Sequence, residues 1–132
     1  MSDNDAVSAR IDDLPDRWDG FARLVRQGLG ITAFGAQIMN LPPDYTTKSH
    51  DEAESGQEEM YVALSGSGAV LVHGDDGDER LPLDPEHVVR CGPTAARTLA
   101  SGHAGLRVLC IGGVPGGVYE PPAWTTGADA GE

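Results

Sequence analysis

Basic residues are scarce in this chain. Nine Lys and Arg stand against 21 Asp and Glu, for a formal charge of −12. Nucleic acid and anionic membranes reward clustered Lys and Arg, so neither is an expected partner. Such a charge favours solubility and says little about small ligands. Long apolar runs are missing too: none approaches the ~20 residues that a membrane span needs. The first eight residues lack the basic and apolar regions of a secretion signal, and the expectation is a soluble, cytoplasmic protein. Cysteine occurs twice, as Cys91 and Cys110, far apart and each inside an apolar segment. That excludes a disulfide framework and a Cys-x-x-Cys motif, and predicts two buried, reduced thiols.

Two further motif classes are absent. Gly112-Gly113-Val114-Pro115-Gly116-Gly117 follows a strand without opening a helix, so it reads as a chain reversal rather than a phosphate or dinucleotide loop. Ser65, Ser67 and Ser101 lack the strand, turn and helix setting of a hydrolase nucleophile.

What remains is a chain of 132 residues, 39% hydrophobic, which suits one domain with a buried core. Residues 1–16 are acidic and poor in apolar side chains, and read as a flexible arm with a short ordered piece at its end. Residues 120–132 read as a tail whose start Trp124 anchors on the body. Residues 17–119 form the domain. There the pattern is short apolar runs broken by Gly, Pro and Asp. Phe21 to Val25, Ile31 to Met39, Met60 to Leu64, Ala69 to His73, Arg80 to Leu83, His87 to Cys91, Thr98 to Ala100 and Leu106 to Ile111 are candidate strands. Thr46 to Glu52 is extended and polar. Asp75 to Asp78 is a hairpin turn, with Asp76-Gly77 as its signal. Only a weak helical period runs over 14–26. Many short strands with frequent turns indicate a β-sandwich or barrel.

The chemistry concentrates at residues 50–68, which run from His50 through Glu52, Glu58 and Glu59 into an apolar stretch closed by Gly66 and Gly68. In an extended strand, residues two apart share a face. His50 and Glu52 then point the same way, and Glu58 or Glu59 reaches them from the next strand. An imidazole and carboxylates that converge inside a β-structure can bind a metal. Tyr61 falls on the face of Glu59, while Glu58 faces solvent. Gly66 and Gly68 mark a bulge or turn that needs unusual backbone angles. His73, His87 and His103 lie near turns and read as surface histidines.

This stretch resembles the first motif of the cupin superfamily. Glu59 is followed by six residues and Gly66, and Met60 to Gly68 looks like the family's strand and turn. His50 stands at the first histidine. Glu52 stands where the second histidine belongs, and the loop from Ala53 to Glu58 is longer than usual. Pro85 to Arg97 is similar in shape to the second motif, but its ligand histidine is missing and Arg97 lies within one residue of that place. The resemblance covers roughly 30–115. It implies an all-β fold, a double-stranded β-helix or jelly-roll barrel, that pairs as a homodimer through the strand at Ile31 to Met39.

Metal-binding cupins typically offer three histidines and a glutamate. This chain offers His50, Glu52 and Glu59 as ligands, with one divalent metal (Mn, Fe, Zn or Ni) as the cofactor they would hold; a hard, oxygen-rich site would also suit Mg or Ca. A guanidinium cannot ligate a cation. Arg97 instead either pairs with Glu59 where a metal would stand, or binds an anionic substrate. Three functions follow. The first is a small-molecule-binding cupin, its ligand held in the barrel by Arg97, Tyr61 and His50. The second is a divalent-metal enzyme, an isomerase, lyase or oxygenase acting on a small polar metabolite. The third is a non-enzymatic regulatory protein that uses its acidic surface.

Overall fold

A computed structural model describes residues 5–126. The elements of the barrel are β1 (Asp16–Arg17), β2 (Ala22–Leu24), a one-turn helix α1 (Val25–Leu29), β3 (Gly35–Leu41), β4 (Glu58–Gly74), β5 (Gly77–Leu83), β6 (Val88–Cys91) and β7 (Ala96–Gly113). All pairings are antiparallel. No helix among the described residues is long and apolar enough to cross a membrane.

Two long strands, β4 and β7, carry the architecture. The first half of β4 lies between β6 and the second half of β7. That half of β7 continues through β3 and β2 to β1. The second half of β4 lies between β5 and the first half of β7. Both strands bend where the register shifts, between Ala63 and Ser65 and between Gly66 and Gly68. A side chain at either bend glycine would collide with backbone, Gly66 with the carbonyl of Gly105 and Gly68 with that of Ala100. The bend folds the sheet over, so both halves bury their inner faces in one core of Leu41, Tyr61, Val70, Leu83, Leu99 and Val108 among others.

Strand alternation sets which residues enter that interior. Glu59, Tyr61 and Ala63 are buried, while Met60 and Leu64 are exposed on the outer face. Glu58 faces outward and pairs with Arg90 at 3.0 Å. Cys91 and Cys110 are buried free thiols.

The strands differ from the sequence reading in three places. The pairs expected at Met60 to Leu64 with Ala69 to His73, and at Thr98 to Ala100 with Leu106 to Ile111, are single strands of 17 and 18 residues. The weak helical period at 14–26 yields only α1, because Ala22 and Leu24 are fully buried in a strand. The stretch expected as a strand from Ile31 to Met39 becomes strand only at Gly35, in β3, where β7 pairs its whole length and β2 pairs Gln37 to Met39.

At the N-terminus a 3-10 turn, Ile11–Asp13, lies against the body. Asp12 pairs with Arg107 at 2.7 Å, and Leu14 is buried. The expected flexible arm includes residues 1–4, which lie outside the described residues, as do 127–132 of the expected tail.

Candidate functional site

The site begins with two residues of β4. Glu59 and Tyr61 are two apart, so both point into the barrel. Opposite them, the extended segment at 46–50 joins the sheet by bridges from Thr46 to Ala100 and from His50 to Arg97. The latter pair exchanges both backbone hydrogen bonds, at 3.0 and 2.9 Å. Directly opposed residues share a face, which brings His50 and Arg97 to the same end of the barrel. Glu52 is tied by its N–H to the Pro93 carbonyl at 2.8 Å. A turn over 53–56, with Gly56 at φ 74°, then doubles the chain back. That turn absorbs the extra loop residues, so Glu52 and Glu59 converge despite their separation.

His50 Nε2 stands 3.6 Å from both Glu52 Oε2 and Glu59 Oε1. Ligand atoms of these three side chains all lie within 4.8 Å of one another. Glu52 also accepts from Ser55 Oγ at 2.8 Å.

Behind Glu59 lies a buried network. Arg97 is fully buried, and its Nη2 donates to Glu59 Oε1 at 2.5 Å. Tyr61 donates its hydroxyl to the same oxygen at 2.7 Å and accepts from Arg97 Nε at 3.1 Å. Arg97 Nη1 donates to the carbonyls of Ala95 at 2.7 Å and Gly92 at 3.3 Å. Cys110 Sγ donates to Glu59 Oε2 at 3.6 Å.

Burial works to raise the Glu59 pKa, but the nearby His50, the bonds from Tyr61 and Arg97 and the charge of Arg97 outweigh it and bring the carboxyl down to about 2. Glu59 is therefore a carboxylate at neutral pH. Burial pushes the Tyr61 hydroxyl up, and the charge on Glu59 adds to this, so the phenol stays a neutral donor. Burial and the same carboxylate raise the Cys110 thiol, which stays protonated and offers no thiolate.

In front of Glu59 opens a cavity of about 290 Å³. Its polar end carries His50, Glu52, Gln57 and Glu59, with Lys48 also in its wall. Met39 and Leu99 give apolar wall, and Tyr119, Pro122 and Trp124 line it from the C-terminal segment. The paired glycines Gly35 and Gly112 make room for this packing. A Cβ on Gly35 would collide with the Tyr119 ring, and one on Gly112 would fall 2.7 Å from Gln57 Oε1.

The structure thus brings His50, Glu52, Glu59 and Tyr61 to one cavity. Arg97 stands one layer behind, does not line it, and spends its guanidinium on Glu59, Tyr61 and two carbonyls. His73, His87 and His103 lie elsewhere, each on an aspartate. Sequence reasoning missed Lys48, Gln57 and Tyr119. Lys48, the only lysine of the chain, sits two residues before His50, and that spacing was the available signal.

No known protein family's sequence profile matches the chain. Among curated proteins it is 35% identical over 69 residues to the glucose-6-phosphate isomerases of Pyrococcus horikoshii and Pyrococcus abyssi, which covers 51% of this chain and 36% of theirs. The chain therefore spans about a third of the length of these relatives. Among solved structures, a cupin protein from Bacteroides fragilis superposes with a TM-score of 0.63 at 22% identity, over 97% of this chain and 98% of its own. Oxalate decarboxylase of Bacillus subtilis, a protein with Mn(II) centres, superposes with a TM-score of 0.58 at 14% identity, over 78% of this chain and 28% of its own.

Proposed function

We propose that this chain, a barrel of the cupin fold, binds a small polar molecule in the cavity in front of Glu59. The supporting observation is the convergence of His50, Glu52 and Gln57 on one end of a concave, largely apolar space. Few polar groups on an apolar wall are the usual make-up of a small-molecule site. His50 is the central group: its Nε2 faces two carboxylates, and its side chain is 45% exposed, so a ligand can reach it. Glu52 supplies an acceptor and Gln57 an amide. Tyr61 gives ring surface, since its hydroxyl is committed to Glu59. Arg97 acts through Glu59, as a positioning residue.

A panel of polyols, sugars, hydroxy acids and nucleosides tests this in thermal-shift assays. A ligand at a hundred times its Kd stabilises the folded state by about 2.7 kcal/mol. At least one compound is expected to raise the melting temperature by several degrees in wild type and not in His50→Ala. A panel without effect on the wild type would remove the proposal.

The spacing of the three ligand atoms favours a second reading. One nitrogen and two carboxylates within 4.8 Å fit a divalent cation in number and type, with His50, Glu52 and Glu59 as its holders. Such an ion (Mn, Fe, Zn or Ni) would polarise a substrate oxygen, the chemistry of an isomerase, lyase or oxygenase. Against it, Glu59 Oε1 already accepts from Arg97 and Tyr61, and the fixed charge of Arg97 opposes a second cation. Elemental analysis separates the two. Near-stoichiometric metal in wild type, lost in His50→Ala, would establish the metal reading.

A further inference from the structure

Three of the seven aromatic residues of this chain line the cavity, and three more lead away from it. Tyr61 and Tyr119 line it. The other four form a row that starts in its wall. Trp124 lies tilted by 33° against Trp18 with ring centroids 5.4 Å apart, Trp18 meets Phe21 edge to face at 6.5 Å, and Phe21 meets Tyr45 edge to face at 5.7 Å. Core packing accounts for Phe21, which lies against the buried cluster, but not for Trp18 and Tyr45, which are 53% and 41% exposed. We propose that this row is a platform for the rings of a neutral oligosaccharide, whose terminal ring enters the cavity. The proposal rests on the reading of the cavity as a ligand site.

The chemistry selects this class of ligand. A sugar ring has C–H faces that carry partial positive charge and suit the negative face of an aromatic ring. Its edges carry hydroxyls that need acceptors and donors. The cavity supplies Glu52, Gln57 and His50, and the row is flanked by the exposed carboxylates Asp19 and Asp44. An apolar ligand would leave Asp19 and the polar groups of the cavity unused, Asp44 being already paired with His103. A polyanionic one would meet those carboxylates and a formal charge of −12. A cationic one would find Glu52 in the cavity but not the hydroxyl-matching spread of donors and acceptors, His50, Gln57 and Lys48 among them.

The backbone holds the row in place before any ligand arrives. Trp18 and Asp19 both take φ 55°, which L-residues with bulky side chains seldom adopt. The turn that carries them is pinned: Asn40 donates its side-chain amide to the Gly20 carbonyl at 2.9 Å and its N–H to the Phe21 carbonyl at 2.7 Å. Arg26 holds the other end by donating to the Thr125 carbonyl at 3.1 Å. A strained, exposed tryptophan on a fixed turn is preorganised for contact, which reduces the ordering cost of binding.

Both tryptophans of the chain lie in this row, and Trp124 also lines the cavity, so selectively excited tryptophan emission reports on both. The probes are neutral gluco-, xylo- and manno-oligosaccharides of one to six rings, followed by fluorescence and calorimetry. The expected result is that at least one series binds at least tenfold more tightly at three rings than at one and shifts the tryptophan emission. Trp18→Ala, folded as judged by an unchanged melting profile, should return the trimer to the affinity of the single ring; Tyr45→Ala should act in the same direction. No binding by any series, affinity independent of length, or an unchanged trimer affinity in both variants would overturn the platform. So would preference for oligogalacturonate or a quaternary amine. A small metabolite that protects wild type but not His50→Ala, with no response to any oligosaccharide, leaves the cavity reading intact and removes the platform. Oligosaccharide binding that survives His50→Ala keeps the platform and removes the cavity.

Discussion

Arg97→Met is expected to destabilise the protein by about 3–5 kcal/mol, because it leaves the Glu59 charge buried without its partner. The side chains of Arg97 and Glu59 are only 0% and 8% exposed, so water cannot take the place of the guanidinium. The same substitution frees the carbonyls of Gly92 and Ala95 and the acceptor side of Tyr61. Calorimetric melting at pH 7 measures the loss. The double variant Glu59→Gln with Arg97→Met should recover much of it, since a neutral amide still accepts from Tyr61 and leaves no unpaired charge. Equal melting temperatures for wild type and Arg97→Met would show that the pair carries no structural load. The acid limb gives a second signature. Glu59 falls from its ordinary 4.5 to about 2 on folding, and at about 1.4 kcal/mol per unit this is about 3 kcal/mol. A depressed carboxylate contributes that stability above pH 4.5 and loses it as pH falls from 4.5 towards 2. In Arg97→Met the depression is smaller, so this acid-linked loss should shrink.

That pair also shows how far sequence alone reaches. Residue spacing placed Glu59 and Tyr61 on one inward face, and both are buried there. Spacing left two roles open for Arg97, as partner of Glu59 or as anchor for an anion. In the structure the guanidinium of Arg97 is bonded to Glu59, Tyr61 and the Ala95 carbonyl, contacts between segments far apart in sequence that spacing does not reveal. The strand count differs at Ser-Gly-Ser-Gly, whose composition reads as a break although the strand pairing continues through its bulges. The far wall of the cavity was the least legible part. Tyr119 and Trp124 follow a glycine- and proline-rich stretch that reads as a tail, and composition does not say where a tail lands. Its landing depends on Gly35 and Gly112, which leave space that side chains there would fill.

The bend in β4 and β7 carries the other large effect. Gly66→Ala is expected to cost about 3 kcal/mol or more, through two penalties that add. Gly66 sits at φ 74°, where a side chain strains the backbone, and its Cβ would collide with the Gly105 carbonyl of the neighbouring strand. That carbonyl is backbone within the barrel and cannot swing aside as a flexible side chain would. Gly30 provides the control. It has nearly the same angle, φ 73°, at the end of α1, but nothing lies within 4 Å of its added Cβ. Gly30→Ala therefore isolates the conformational penalty, about 1–2 kcal/mol. Denaturant midpoints for the two variants should differ strongly, with Gly66→Ala far the weaker. Because the bend folds one half of the sheet over the other, its failure should also open the cavity and abolish the ligand response of wild type. Similar midpoints for the two variants would mean that the strands tolerate a side chain at the fold line, and that the close approach of Gly66 to Gly105 does not hold the barrel closed.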